Sequence, residues 1–244
     1  MEQHFKGKTA LVTGAGWGIG AAIAVLYAAC GAKVIVSDTS RKGGKATVAK
    51  IKSQKGNATY IRADVSSAAA CEKLIKRTIG KYGSIDIACN NSAIFREPLQ
   101  PAEKETGAPE NYSDLNLNGL NNCMQYEIEA MQKQGGGIIV NTSSVMGAMN
   151  SASLSSYVNA KYGMTTLLQN TSVKFPGGGI HINIIPPSFI ITALLRDMVP
   201  TKMEGGVQLS PIERPGMIQE VAGLILWLSS DETYLLPNVF TDAN

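Results

Sequence analysis

Short apolar runs alternate along this chain with longer stretches whose apolar residues return at helical spacing. "KTALVTG" is an apolar run that stops at a glycine, and "GIGAAIAVLYAACGAKVIVSD" continues with an alanine-rich helix, a stop at Gly31 and a second apolar run. The alternation goes on through a helix in "RKGGKATVAKIKSQKG", a strand in "ATYIRADV", a helix in "AAACEKLIKRTIGKYG" and a strand in "IDIACNN". Beyond these the pattern predicts a helix within Asn111 to Gln134, the strand "GIIVNTSS", a helix around Ser155 to Phe175 and the strand "IHINIIPP". A last helix, "IQEVAGLILWLSS", leads to a short closing strand near "YLLPNVF". Repeated alternation of strand and helix implies the α/β class, with a mostly parallel sheet wound on both faces by helices.

Two segments break the pattern. "FREPLQPAEKETGAPENYSD" has three prolines and no period, and residues 186–216 are rich in proline, glycine and methionine. In an open α/β sheet ligands bind outside the carboxyl ends of the strands, where such loops emerge, so a lid over the substrate is expected around 187–215. With no repeat or linker, residues 1–244 are expected to form one domain.

Composition narrows the function classes. A formal charge of +3, from 22 basic and 19 acidic residues without a dense basic cluster, argues against nucleic acid as a partner. No apolar run approaches the roughly 18 residues that span a bilayer, and the beginning of the sequence enters a strand without a signal-peptide layout, so no membrane partner and a cytoplasmic location are expected. Four scattered cysteines, Cys30, Cys71, Cys89 and Cys123, form no Cys-x-x-Cys and are expected as buried, reduced thiols. Two histidines, His4 and His181, are too few for a histidine metal site or a Ser-His-Asp hydrolase, and no metal is expected.

The first strand-to-helix turn reads "TGAGWGIG", Thr13 to Gly20. Glycines at 14, 18 and 20 allow a tight turn, close approach of the backbone to a pyrophosphate and close packing of the helix whose N-terminus attracts that charge. The second strand ends at Asp38, about 20 residues on, where a carboxylate can take hydrogen bonds from the adenosine ribose hydroxyls. Its charge would repel a 2′-phosphate, which favours NAD over NADP, although Arg41 and Lys42 partly offset the repulsion. A helix-cap or turn role for Asp38 in "SDTSRK" is also open and does not exclude the first.

"SSYVNAKYG" sets Tyr157 and Lys161 one helical turn apart on a common face. A free tyrosine titrates near pH 10, and a neighbouring cation favours its phenolate, so the pair suits general acid/base work. Alone, a spacing this common by chance fits two polar residues on a solvated face better than it fits chemistry.

Taken together, these motifs resemble the short-chain dehydrogenase/reductase family, in its single-domain branch of about 250 residues. The glycine turn from Thr13 to Gly20, Asp64 in "RADV", "NNSA" at Asn90 to Ala93, Asn116 in "LNLNG", and Ser144 ahead of Tyr157 and Lys161 carry the likeness in order and spacing. The resemblance implies a Rossmann-type, seven-stranded, doubly wound sheet and a dimer or tetramer. It implies that Tyr157 exchanges a proton with the substrate oxygen, Ser144 orients that oxygen, Lys161 binds the nicotinamide ribose and lowers the Tyr157 pKa, and Asn116 holds a relay water. It places the cofactor against Gly14, Trp17, Gly18, Ile19, Gly20, Asp38, Asp64, Val65, Asn90, Tyr157, Lys161, Ile190 and Thr192, and the substrate against Ser144, Val145, Met149 and Tyr157.

The expected activity is hydride transfer between NAD(H) and a secondary alcohol or ketone. Apolar candidates for the pocket, among them Ile94, Phe95 and Leu194, favour a neutral substrate, while Arg96 and Arg196 keep an acidic one open. Departures from the family pattern at Ser92, Ala93 and Ser188 motivate a second reading as a catalytically idle dinucleotide-binding sensor or scaffold, and the ending "FTDAN" departs from the family where its last strand and subunit contact are often built.

Overall fold

The first apolar run folds as β1 (Thr9–Val12), buried at every position. The computed structural model describes residues 3–92, 117–142, 179–185, 187, 190 and 216–233. After β1 come α1 (Gly18–Ala29), β2 (Lys33–Asp38), α2 (Arg41–Ser53), β3 (Asn57–Arg62), α3 (Ala68–Tyr82) and β4 (Ile87–Asn90). They are followed by α4 (Gly119–Gln134), β5 (Gly137–Thr142), β6 (Ile180–Ile185), α5 (Ile218–Leu228) and a 3₁₀ turn at Asp231–Thr233.

Among the described residues six strands form one parallel sheet in the order β3-β2-β1-β4-β5-β6. The order reverses between β1 and β4, which opens a crevice where the chain leaves their carboxyl ends. The closing strand expected near "YLLPNVF" and the helix expected around Ser155 to Phe175 lie outside the described residues.

Period-two alternation sorts the strand side chains into two cores. Ala10, Val12, Val34, Val36, Cys89, Val140 and Ile185 pack on the side that holds α1 and α5. Leu11, Ile35, Ala88, Ile139 and Ile182 pack on the other, against Leu74 and Ile75 of α3 and Leu120, Met124 and Met131 of α4. Both faces are covered, so these strands read as nearly continuous apolar runs. On the first face, Tyr27 of α1 and Ser229 just after α5 share a buried hydrogen bond of 2.6 Å across 202 residues.

Register then sets the site. Val12 stands beside both Val36 and Cys89, so the carboxyl ends of β1, β2 and β4 finish at one level. One strand further, Asn90 lies abreast of Asn141. Ile190, which is buried, pairs with Gly216 in an isolated parallel bridge. The two ends of the expected lid segment therefore come together.

Candidate functional site

The glycine turn leaves β1 through Gly14, at φ +61°, and enters α1 through Gly18, at φ +56°; both values lie in the left-handed region that favours glycine. A Cβ on Gly14 would stand 2.9 Å from the Ser92 Cα, and one on Gly20 would strike the Gly14 carbonyl oxygen. A Cβ on Gly18, by contrast, would meet nothing within 4 Å. Open space therefore lies before a helix whose start at Trp17 has no side-chain cap. Uncapped leading amides at the positive end of a helix dipole suit a pyrophosphate.

The hydroxyl of Thr13 fixes this turn to the end of β4 by accepting the Asn91 and Ser92 amides at 3.1 and 3.3 Å. Ser92 does not occupy the left-handed region, so its backbone makes no demand for glycine. Ala93 lies outside the described residues.

Asp38 ends β2, buried, with Oδ1 accepting the Ser40 amide at 2.7 Å and Oδ2 accepting the Gly16 amide at 2.8 Å. The cap of α2 is instead Ser40, whose hydroxyl accepts from the Gly43 amide. The carboxylate thus stands beside the glycine turn, where an adenosine ribose would reach it.

Further along the crevice, Asp64 closes a turn by accepting the Ser66 amide and hydroxyl at 3.0 and 2.7 Å. Asn122 on α4 donates to the Val65 and Ser66 carbonyls, and Gly119 backs onto the Val65 side chain, which holds this wall in place. A small cavity between the two walls is lined by Thr13, Val65, Asn90, Ser92, Gly119, Leu120 and Cys123.

Below that cavity lies a buried polar cluster. The Asn90 amide nitrogen donates to Glu127 Oε2 at 2.8 Å and to Asn141 Oδ1 at 3.0 Å. Glu127 is fully buried on α4, and desolvation lifts its pKa to about 7 against the downward pull of the Asn90 hydrogen bond. The four cysteines are free and buried, as expected, and the Cys71 and Cys123 sulfurs stand 3.6 Å apart. Burial holds the Cys89 thiol well above its ordinary value, and the contact with Cys71, joined by burial, does the same for Cys123, so both are protonated at neutral pH.

A wider cleft opens at the opposite, amino ends of the strands, among Lys8, Asp86, Gly137 and His181. Ligands of open α/β sheets bind at the carboxyl ends, so that cleft is not the dinucleotide site. Among the described residues there is no cluster of three or more potential metal ligands, and no helix is long and apolar enough to cross a membrane.

Of the residues expected to bind cofactor, Gly14, Trp17, Gly18, Ile19, Gly20, Asp38, Asp64, Val65 and Asn90 gather along this crevice. Ile190 is placed by its bridge to Gly216. Asn116, Ser144, Val145, Met149, Tyr157, Lys161 and Thr192 lie outside the described residues. Gly16, Asn91 and Glu127 were not anticipated. Gly16 was visible as the remaining glycine of the turn. Glu127 was visible as an acidic residue on the apolar stripe of Cys123, Met124, Ile128 and Met131.

The reversed strand order, the glycine turn at its centre and the carboxylate ending β2 define a Rossmann-type dinucleotide-binding fold. The chain belongs to the short-chain dehydrogenase family, whose sequence model matches residues 8–203. It is an oxidoreductase of that family, whose fold binds a nicotinamide dinucleotide. It is 34% identical to a cyclohexanol dehydrogenase of Acinetobacter sp. (strain SE19) over 95% of this chain and 91% of that one. Among solved structures, levodione reductase superposes with a TM-score of 0.87 at 30% identity, covering 98% of this chain and 97% of the other. A 7α-hydroxysteroid dehydrogenase complexed with NADH and 7-oxo glycochenodeoxycholic acid superposes with a TM-score of 0.90 at 28% identity, covering 100% and 96%.

Proposed function

We propose that this chain transfers hydride between NAD(H) and a secondary alcohol or ketone, with Tyr157 as the general acid/base. The observation that carries the cofactor choice is the buried Asp38 carboxylate beside Gly16, where a 2′-phosphate would meet a fixed negative charge. Arg41 and Lys42 follow Asp38 closely and soften that repulsion. The NADH held by the hydroxysteroid dehydrogenase neighbour supports the same choice.

Bound nicotinamide would supply or accept the hydride. Gly18, Ile19 and Gly20 at the start of α1 would face the pyrophosphate, Asp38 the adenosine ribose, and Asp64 and Val65 the adenine. Ile190 and Thr192 would meet the carboxamide.

The chemistry rests on residues the family resemblance assigns. Tyr157 would give a proton to the carbonyl oxygen in reduction and take it from the alcohol in oxidation. Ser144 would hydrogen-bond that oxygen and orient it, and the Lys161 ammonium would favour the Tyr157 phenolate. Asn116 would hold the water that returns the proton to solvent. Cyclohexanol and levodione, the compounds named for two of the relatives, are consistent with a neutral alcohol or ketone as substrate, while the 7-oxo glycochenodeoxycholic acid held by the third is a ketone that also carries a carboxyl group.

An absorbance screen at the reduced-nicotinamide band, with NAD and NADP in parallel over cyclic alcohols, sterols and acyl ketones, tests both halves of this reading. Tyr157→Phe is expected to abolish turnover while NAD still quenches Trp17, which stands exposed at the glycine turn. Activity retained in that variant would remove Tyr157 from its role, and NADP outperforming NAD at equal concentration would overturn the reading of Asp38.

A further inference from the structure

Asn90 sits at the carboxyl end of β4 with both protons of its amide committed, one to Glu127 Oε2 and one to Asn141 Oδ1. Three polar atoms of the same cluster, Asn90 Oδ1, Asn141 Nδ2 and Glu127 Oε1, are buried without a hydrogen-bond partner among the described residues. Orphaned buried polar atoms are costly, so a cluster with three of them is one whose other arrangements compete.

A second arrangement follows from the chemistry of the three side chains. An asparagine amide turned over exchanges oxygen for nitrogen at almost no change in shape. With both amides turned, a protonated Glu127 donates to Asn90 Oδ1, and Asn141 Nδ2 donates to the same oxygen. A carboxylate has only acceptors and enforces the first arrangement, whereas a carboxylic acid has the hydroxyl that the second requires.

We propose that Glu127 is a positioning residue for the dinucleotide: its proton decides whether Asn90 turns its oxygen or its nitrogen toward the cavity lined by Thr13, Val65, Ser92 and Gly119. This rests on the reading of that crevice as the cofactor site. The carboxyl titrates near neutrality because burial opposes its charge, so both forms are populated under ordinary conditions.

Among the described residues, two other titratable groups feel its charge, the Cys89 thiol on the other side of β4 and the Cys123 thiol on its own helix, and both are pushed up by it. Both stay neutral. Asn141, facing it from β5, does not titrate. The diphosphate of a bound dinucleotide adds negative charge at the end of β1, which favours the protonated Glu127. By linkage the cofactor then binds more tightly below neutrality.

Calorimetric titration of NAD into the wild-type chain between about pH 6 and pH 8 is expected to show Kd rising about two- to threefold with pH. In Glu127→Gln that component of the pH dependence disappears. On the wild-type chain alone, infrared difference spectra are expected to show a protonated carboxyl stretch that bleaches as pH rises, with a midpoint that moves upward when NAD is added. The same pH dependence in Glu127→Gln, no titrating band, or a midpoint indifferent to bound NAD would each overturn the positioning role while leaving the cofactor reading intact. Failure of either dinucleotide to bind at any pH would overturn the cofactor reading and this role with it.

Discussion

The Gly16 amide donates to Asp38 Oδ2 at 2.8 Å, so the carboxylate that ends β2 also braces the glycine turn after β1. One side chain holds in a single geometry the turn proposed to face the phosphates and the position proposed to face the ribose. A hydrogen bond to a charged group contributes about 1.5–3 kcal/mol. Asp38→Asn is therefore expected to weaken NAD binding about tenfold or more, and to narrow the preference for NAD over NADP by a similar factor, as read by Trp17 quenching with each dinucleotide. An unchanged preference would mean that Asp38 serves the turn alone.

Gly18 and Gly20 differ in why they are glycine, and two alanine variants separate the reasons. At Gly18 the backbone is left-handed with open space around it, so Gly18→Ala is expected to cost about 1–2 kcal/mol of strain in urea unfolding. At Gly20 a Cβ would strike the Gly14 carbonyl oxygen and stand 2.6 Å from the Asn91 side-chain nitrogen Nδ2. Gly20→Ala is expected to push the turn and β4 apart, losing about 1–3 kcal/mol of stability and most dinucleotide affinity together. Dinucleotide binding undiminished in Gly20→Ala would show that the turn relaxes without opening the crevice.

Glu127 makes stability depend on pH in the sense opposite to an ordinary salt-bridged carboxylate. Its folded pKa is raised to about 7, so the folded chain holds a proton that the unfolded chain releases in the usual carboxylate range. The contribution is intact at acid pH and is lost as pH rises toward 7, amounting to about 3 kcal/mol once Glu127 is ionised in both states. Glu127→Gln removes this loss. The stability of the variant relative to wild type is expected to increase from pH 5 to pH 8 in thermal or urea unfolding, and parallel profiles for the two proteins would contradict the shift.

The parts that were legible in the sequence depend on short-range pattern. β1 and β2 were legible because both of their faces are buried, which leaves little polar interruption in "TALV" or "KVIVSD". Asp38 was legible through its distance from the glycines, a local feature of strand-turn-helix-strand. Its grip on Gly16 was not, because that contact forms only when β1 and β2 pair side by side. "RADV" reads as strand, yet β3 stops at Arg62, since Asp64 bonds the Ser66 amide and turns the chain out. The Asn90, Asn141 and Glu127 cluster draws on β4, β5 and α4, and no spacing within any one of them announces it.

The bridge between Ile190 and Gly216 ties together two points in the chain that bracket almost the whole 187–215 segment. A segment tied at both ends can change in length at small cost, since doubling the length of a flexible segment adds only about 0.6 kcal/mol of closure entropy. The sheet and glycine turn are thereby insulated from changes in that excursion. On the proposed reading of 187–215 as a substrate lid, a chain built this way can acquire a new preference among alcohols by rewriting one detachable paragraph, while the text that reads the cofactor stays as it was.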